Sequence, residues 1–183
     1  NITDAKGALF ANTQDFAIVP VQVGGRALKI GLIGVTMESD PRPWVRYGPV
    51  VESAKAAIAK LRAAGKVDAI IALTHLPMSE DQALVTAVPD IDLALGGHEH
   101  ENFLLYRGST LTPIVKADAN VRTVAVITMT FPQGTRPAVS VRLQPITSAI
   151  TADATAQAEV TRWTKTAFDA YRKDGFQPDR VVA

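Results

Sequence analysis

Residues 67–100 read VDAIIALTHLPMSEDQALVTAVPDIDLALGGHEH, and they contain the clearest fold signal of the chain. Residues 67–73 form an apolar run of the kind found in strands buried on both faces. Residues 91–95 form a second apolar run of the same kind. Two buried strands that follow each other at this distance predict a parallel pair, which needs a crossover connection between the strands.

The crossover segment carries its own helix signals. Ser79 followed by Gln82 three residues later matches a capping box, which predicts a short helix over residues 80–88. Strand, helix and strand with short connections form a βαβ unit, and such units are right-handed in nearly all proteins.

The preceding residues extend this pattern by another strand and helix. Residues 16–23 and 27–35 are β-rich runs separated by two glycines and an arginine, which predicts a hairpin. Residues 37–49 contain several prolines and are expected to be a loop without regular structure. Residues 50–64 repeat apolar side chains at helical spacing, which predicts a helix.

The C-terminal part of the chain is richer in β-structure. Residues 112–116, 122–131 and 137–143 are separated by turn residues and are expected to be antiparallel strands. Residues 153–173 place Val160, Trp163, Ala167 and Tyr171 on one stripe, which predicts a long amphipathic helix.

The predicted fold class is therefore α/β, with a parallel βαβαβ unit, then antiparallel strands, then a long C-terminal helix. We expect a domain over residues 1–148 and a linker helix over residues 149–183. The chain begins at Asn1 without a methionine and ends in the apolar residues 181–183, so we expect it to be a piece of a longer protein.

Composition excludes several classes of partner. The 183 residues carry 19 Lys and Arg against 18 Asp and Glu, and the basic residues are scattered, so no basic stripe for nucleic acid or anionic membranes is expected. No apolar run has the roughly 18 residues of a membrane span. The absence of cysteine excludes disulfides, thiolate zinc sites and cysteine nucleophiles.

All three histidines follow predicted parallel strands. His75 ends one strand, and His98 and His100 lie in the loop after the next. Open α/β sheets place ligand sites at this edge, and neutral imidazole binds zinc, manganese, iron or nickel. Histidines two apart in extended backbone point to the same side. A shared metal site is favoured over three unrelated histidines.

A two-metal hydrolytic site also needs a bridging carboxylate, and no acidic residue is an obvious candidate. Asp68, Asp90 and Asp92 precede or begin strands, at the edge opposite the histidines. Glu99 and Glu101 flank the histidines, but alternation should turn both toward solvent. Asp118 and Asn120 follow a strand and could reach the site, although a turn role is favoured for both.

Motifs of other enzyme classes are missing. No G-x-S-x-G sequence surrounds a serine, which weakens a serine-hydrolase interpretation. No G-x-x-x-x-G-K-[ST] loop is present, which excludes a P-loop nucleotide site.

Residues 69–75 (AIIALTH) followed by residues 88–100 (VPDIDLALGGHEH) resemble the calcineurin-like metallophosphoesterases of the 5′-nucleotidase type. In that family, a strand ending in Thr-His supplies one metal ligand and a G-G-H-x-H loop supplies two more. Residues 29–35 (KIGLIGV) and an Ala-Asn pair at 11–12 are also similar to the family's pattern. The resemblance covers roughly residues 10–145.

The resemblance implies specific ligands. His75 and His98 would bind one ion of a two-metal pair, and His100 would bind the other. The ions would be divalent, with manganese, zinc, iron or magnesium as candidates. The family's upstream motifs D-x-H, G-D and G-N-H-[DE] supply the bridging aspartate, the asparagine ligand and the catalytic histidine, and none of them is present here. The chain resembles the C-terminal half of the catalytic domain.

On this basis we expect part of a two-metal phosphoesterase that hydrolyses a small phosphorylated substrate, plausibly a nucleotide, with metal-activated water. The chain alone is expected to be inactive, and to dimerise or to associate with the missing half of the domain. Two alternatives stay open: a catalytically inactive α/β module that keeps a partial metal site, and a related metallohydrolase acting on another ester. Family analogy suggests export to the periplasm or the extracellular space.

Overall fold

The computed structural model describes residues 1–180, so the apolar residues 181–183 considered above lie outside the described residues. The chain forms two compact units, Asn1–Pro145 and a second unit that begins at Ile146. None of the helices within residues 1–180 combines the length and the apolar character needed to cross a bilayer.

The first unit contains ten strands and two α-helices within the described residues. They are β1 (Ile2–Asp4), β2 (Phe16–Val23), β3 (Arg26–Thr36), β4 (Val45–Tyr47), α1 (Val50–Ala64), β5 (Ala69–His75), α2 (Met78–Ala87), β6 (Leu93–Gly96), β7 (Phe103–Arg107), β8 (Thr112–Lys116), β9 (Thr123–Thr130) and β10 (Ala138–Pro145). A 3₁₀ turn, Ala119–Val121, lies between β8 and β9.

A six-stranded sheet in the order β2-β3-β5-β6-β8-β7 organises this unit. The four central strands β3, β5, β6 and β8 are parallel, and β2 and β7 pair antiparallel at the two edges. The predicted α/β class and βαβαβ unit are confirmed, since β3, α1, β5, α2 and β6 follow each other in this way.

The core forms between the sheet and the two helices. Strand side chains of Ile33, Ile70, Ala72, Ala94 and Ile114 pack with Ala54, Ile58, Leu61, Leu84 and Val85 of the helices. Full burial of a Leu, Ile or Val side chain contributes roughly 1.5–3 kcal/mol, so this layer fixes the sheet and its crossover helices as one body.

The strand over Thr112–Lys116 was expected to be antiparallel, and that expectation is wrong for one of its two neighbours. This strand, β8, pairs parallel with β6 and antiparallel with β7. All five residues of β8 are buried, as is typical of an interior strand. Strand β7 was not predicted; at this edge of the sheet, Phe103 and Leu105 are half-buried and its other three residues are exposed.

Two local predictions also need correction. Helix α2 forms, but it begins after Pro77, whose side chain makes no capping hydrogen bond, so Ser79 and Gln82 do not make the expected box. The 37–49 segment is not wholly irregular, because β4 pairs antiparallel with β1. Its three residues, Val45–Tyr47, contain no proline and keep their hydrogen-bonding groups free for pairing.

The predicted hairpin after the sheet forms a separate two-stranded sheet of β9 and β10. The Arg136 guanidinium, in the connection between these strands, donates to Pro89 O (2.7 Å), Ile91 O (2.8 Å) and Asp92 Oδ1 (2.7 Å). One side chain therefore fastens the hairpin to the segment that enters β6.

The second unit contains helix α3 (Ala154–Lys173), in agreement with the predicted long C-terminal helix. The Asp153 carboxylate caps it by accepting a hydrogen bond from Ala156 N (2.8 Å). Val160, Trp163 and Tyr171, from the predicted stripe, are exposed within this unit.

We predict that Arg136→Ala lowers the free energy of unfolding by about 1–3 kcal/mol, because it removes several charge-assisted hydrogen bonds. Urea denaturation measures the change. Arg142→Ala is the control: its guanidinium contacts only Gln144 Oε1 among the hydrogen bonds of the described residues, so a change within about 0.5 kcal/mol is expected. Equal losses in both variants would contradict the prediction.

Candidate metal centre

The structure brings two of the three histidines together. His75 is the last residue of β5, and His98 lies in the loop that follows β6. The parallel register places Thr74 beside Gly96, so both strands end at the same edge. The His75 and His98 rings meet edge to face, with centroids 5.4 Å apart.

The backbone conformation of the loop that carries His98 and His100 differs from the prediction. His98 and His100 were expected in extended backbone, but both have positive φ angles, 92° and 61°. Gly97 N donates to Thr74 O (3.1 Å), and Ala119 N donates to His100 O (3.3 Å). Positive φ is uncommon outside glycine, so the surrounding contacts must hold this loop in its conformation.

The His75 and His98 rings are compatible with a shared metal ion. With metal–nitrogen distances of about 2.1 Å and tetrahedral geometry, two imidazoles on one ion have centroids about 5 Å apart. The observed separation of 5.4 Å fits that geometry. In the described part of the chain, no group of three or more His, Cys, Asp or Glu side chains is arranged to hold a metal. His100 is exposed and stays a predicted ligand.

A buried ion cluster lies directly behind the histidine loop. The Lys116 side chain at the end of β8 is 1% exposed, and the Asp81 side chain of α2 is 0% exposed. Lys116 Nζ donates to Leu76 O (2.6 Å) and Glu99 Oε2 (2.5 Å), and it lies 2.9 Å from Asp81 Oδ2. The ammonium group of Lys116 thus contacts two carboxylates and one backbone carbonyl.

Glu99 is therefore not the solvated charge that alternation suggested. Its side chain is only 22% exposed, and its second oxygen accepts a hydrogen bond from Met78 N at the start of α2. Burial by itself raises the pKa of Glu99, but the hydrogen bonds from Lys116 and Met78 outweigh burial and leave the pKa below its ordinary value. Alternation failed because the loop is left-handed on both sides of Glu99. Glu101 is exposed, as expected.

Sequence reasoning missed Lys116 and Asp81. The available signals were a lysine at the end of the apolar run 112–116 and an aspartate at helical spacing from Leu84 and Val85, which are buried. A lysine at a strand end is ordinarily exposed, so these signals become informative only once the sheet order is known.

Close packing around Gly96 completes the cluster. A Cβ atom at Gly96 would lie 2.7 Å from Lys116 Cε, 2.9 Å from Thr74 Oγ1 and 3.1 Å from Asp81 Oδ2. Thr74 Oγ1 and both Asp81 carboxylate oxygens have no hydrogen-bond partner among residues 1–180. The 2.9 Å contact of Asp81 with Lys116 is thus a Coulombic contact without hydrogen-bond alignment.

The other acidic candidates have structural roles. Asp68 and Asp92 precede β5 and β6, where their carboxylates accept hydrogen bonds from Lys29 N and Ile70 N (2.8 Å each). Asp90 pairs with an arginine of α1. These three residues lie at the edge opposite the histidines, so the bridging carboxylate is not among them.

Asp118 stabilises the connection after β8. Its carboxylate accepts hydrogen bonds from Thr123 Oγ1 (2.6 Å) and Asn102 Nδ2 (3.1 Å), which hold the pKa of Asp118 below its ordinary value. Asn120 is exposed in the 3₁₀ turn with φ of 57°. These contacts agree with the turn role that was favoured for both residues.

An open cleft of about 850 Å³ adjoins His75. Leu73 and Leu95 of the sheet and Phe10 of the N-terminal segment form apolar parts of its wall, and Thr36 adds a polar group. Its volume is within the usual range of ligand pockets, about 300–1,000 Å³.

Comparison with curated proteins identifies relatives by sequence. Snake venom 5′-nucleotidase from Crotalus adamanteus is 33% identical over 109 residues, which cover 57% of this chain and 18% of the relative. The uncharacterized metallophosphoesterase YunD from Bacillus subtilis is 34% identical over 94 residues, 50% of this chain and 20% of YunD. No protein-family model matches the chain.

Solved structures share the fold. The sulfate thiohydrolase SoxB from Thermus thermophilus superposes with a TM-score of 0.73 at 22% identity, covering 94% of this chain and 32% of SoxB. A 5′-nucleotidase precursor from Thermus thermophilus also gives a TM-score of 0.73 at 22% identity, covering 91% of this chain and 37% of that protein.

These comparisons show which proteins the chain is similar to. The homologues are 5′-nucleotidases and metallophosphoesterases, and the fold is that of the 5′-nucleotidase-type calcineurin-like enzymes. The resemblance of the chain to 5′-nucleotidase-type metallophosphoesterases is thereby confirmed, and the roles of the histidines stay predictions. The chain spans only about a fifth of the length of the curated relatives it matches.

We predict that Gly96→Ala lowers the free energy of unfolding by about 1–3 kcal/mol, because the added methyl group meets the packed ion cluster. Thermal and urea unfolding measure the loss. Gly34→Ala in β3 is the matched control, since among the described residues a Cβ atom there meets nothing within 4 Å. An unchanged free energy of unfolding in Gly96→Ala would contradict the prediction, because the ion cluster would then have room for the added methyl group.

Proposed function

We propose that the protein containing this chain is a metal-dependent phosphoric ester hydrolase that acts on a nucleotide. The carrying observation is the convergence of the His75 and His98 rings, 5.4 Å apart, at the edge where the two family motifs end. The relatives by sequence, 5′-nucleotidases among them, support phosphoester chemistry.

In this proposal, His75 and His98 hold one of two divalent ions and His100 contributes to the other. Bound ions would polarise the phosphoryl group and lower the pKa of a water molecule. The chain's own contribution is to hold the imidazoles in position next to the open cleft. Manganese, zinc, iron and magnesium are the candidate ions.

The remaining ligands would come from outside this chain. The bridging carboxylate and the asparagine ligand of the family have no counterpart here, and we infer that a further segment supplies them. Leu73, 46% exposed on the sheet beside the cleft, offers an apolar surface for that segment. Association with this segment is favoured over a dimer, because only the former completes the ligand set. We also propose the domain limit near residue 148.

A nucleotide is favoured over a sulfur ester as substrate. The similarity to SoxB is 22% in identity and concerns the fold, whereas the relatives above 30% identity include several 5′-nucleotidases and a trifunctional nucleotide phosphoesterase. Export is proposed by analogy with the venom enzymes.

Calorimetry on this chain tests the ligands. We expect Mn²⁺ or Zn²⁺ to bind the wild-type chain and to lose measurable binding when His75, His98 and His100 are all changed to Ala. Glu101→Gln, an exposed change in the same loop, is the control and should bind like the wild type. Equal binding by the triple variant would show that the three histidines are not the metal ligands.

Phosphate release from a nucleoside 5′-monophosphate by the complete protein tests the activity. We expect His98→Ala to lower kcat/KM about a thousandfold, or roughly 4 kcal/mol of transition-state stabilisation. Glu101→Gln should again leave the rate unchanged. Full activity in His98→Ala, or no hydrolysis by the wild type with any of the four metals, would contradict the proposal and favour an inactive module.

A further inference from the structure

We propose that Lys116 is a positioning residue: its buried ammonium ties the strand end that carries His75 to the loop that carries His98 and His100. The inference rests on the proposed metal site for its functional meaning. The hydrogen bonds of Lys116 themselves are observed in the structure and do not depend on that proposal.

The ammonium contacts both ligand-bearing segments at once. Leu76, whose carbonyl accepts from Lys116 Nζ at 2.6 Å, directly follows His75. Glu99, whose carboxylate accepts from the same nitrogen at 2.5 Å, lies between His98 and His100. Lys116 therefore joins two segments whose separation sets the distance between the candidate ligands.

A second contact holds the same loop to the helix. Glu99 accepts from Met78 N at the first residue of α2, so its two oxygens are held by two different elements. The positive φ angles of His98 and His100 on either side of Glu99 are unfavourable in isolation. Such backbone persists where surrounding contacts determine it, and the contacts of Glu99 do so here.

Burial strengthens the contacts of the Lys116 ammonium group with the carboxylates. Lys116 is 1% exposed and Asp81 is 0% exposed, so their attraction is little screened by water. Removing one partner of a buried ion pair leaves an uncompensated charge. Loss of the Lys116 ammonium would leave the carboxylates of Asp81 and Glu99 facing each other, which would drive the Glu99 loop outward.

Lys116 acts through the loop and does not face the cleft. The wall of the cleft next to His75 includes Thr74 but not Lys116. The expected effect of changing Lys116 is therefore a displaced imidazole, not the loss of a group that contacts substrate.

The first readout is the contact between the His75 and His98 rings in the metal-free chain, observed as proton cross-relaxation by NMR. Lys116→Met keeps an unbranched side chain as far as Cε and removes the ammonium group. Glu99→Gln is the milder variant, since it leaves Lys116 with Asp81 in the core. Lys60→Met is the control, because it breaks a lysine–carboxylate pair with Asp15 whose side chains are 58% and 35% exposed.

We expect the ring contact in the wild type and in Lys60→Met. In Lys116→Met and Glu99→Gln it should be lost, while the amide spectrum of the sheet core is retained. A ring contact that survives in both variants overturns the proposal. If Lys116→Met does not fold, Glu99→Gln decides: loss of the ring contact in its folded state supports the positioning role, and retention overturns it.

The second readout is the affinity for Co²⁺, followed by its visible absorption at a temperature where each variant is folded. We expect about 10–100-fold weaker binding in both variants, as is typical when a group that orients a ligand is changed. The double variant should lose no more than Lys116→Met alone, because both residues act in one tie. Unchanged affinity, or additive losses, would contradict a shared positioning role.

The two readouts separate the two proposals. If the variants lose the ring contact but the wild-type chain binds no Co²⁺, this chain does not hold the proposed metal, and the positioning role is still supported. A wild-type chain that binds Co²⁺ with equal affinity in all variants contradicts the positioning role alone.

Discussion

The parallel pairing of β5 with β6 is the constraint on which the rest of the molecule depends. Because Thr74 lies beside Gly96 in this register, the residues that follow each strand leave the sheet at one edge. The crossover helix α2 keeps the two strands parallel, and its buried face closes the core behind them. The meeting of two histidines 23 positions apart in sequence follows from this pairing and not from local sequence.

Much of the fold could be predicted, because apolar runs and helical spacing report burial directly. The βαβαβ unit, the β9–β10 hairpin and helix α3 all have such patterns. Sheet order has no local signal, so the parallel partner of β8 was missed. Prediction was weaker at the site, because it assumed extended backbone on both sides of Glu99. In a left-handed loop alternation no longer assigns faces, and Glu99 consequently turns inward.

The candidate site has a buried ion cluster on one side of the histidines and an open cleft on the other. Behind the histidines, Lys116 and Asp81 are buried, and Glu99 of the loop pairs with the same ammonium group. In front, the wall of the cleft beside His75 includes the apolar side chain of Leu73. The relatives by sequence include 5′-nucleotidases, and the solved structures share the fold.

The fastening of the β9–β10 hairpin by Arg136 has a consequence for the dynamics of the chain. The hairpin has its own hydrogen-bond ladder, separate from the six-stranded sheet, and Arg136 and Arg26 connect it by side-chain hydrogen bonds. Such a unit opens locally at a lower free energy than the buried strands. Amide protons of β9 and β10 should therefore exchange with solvent through their own opening event, while β5 and β6 exchange only when the whole first unit unfolds.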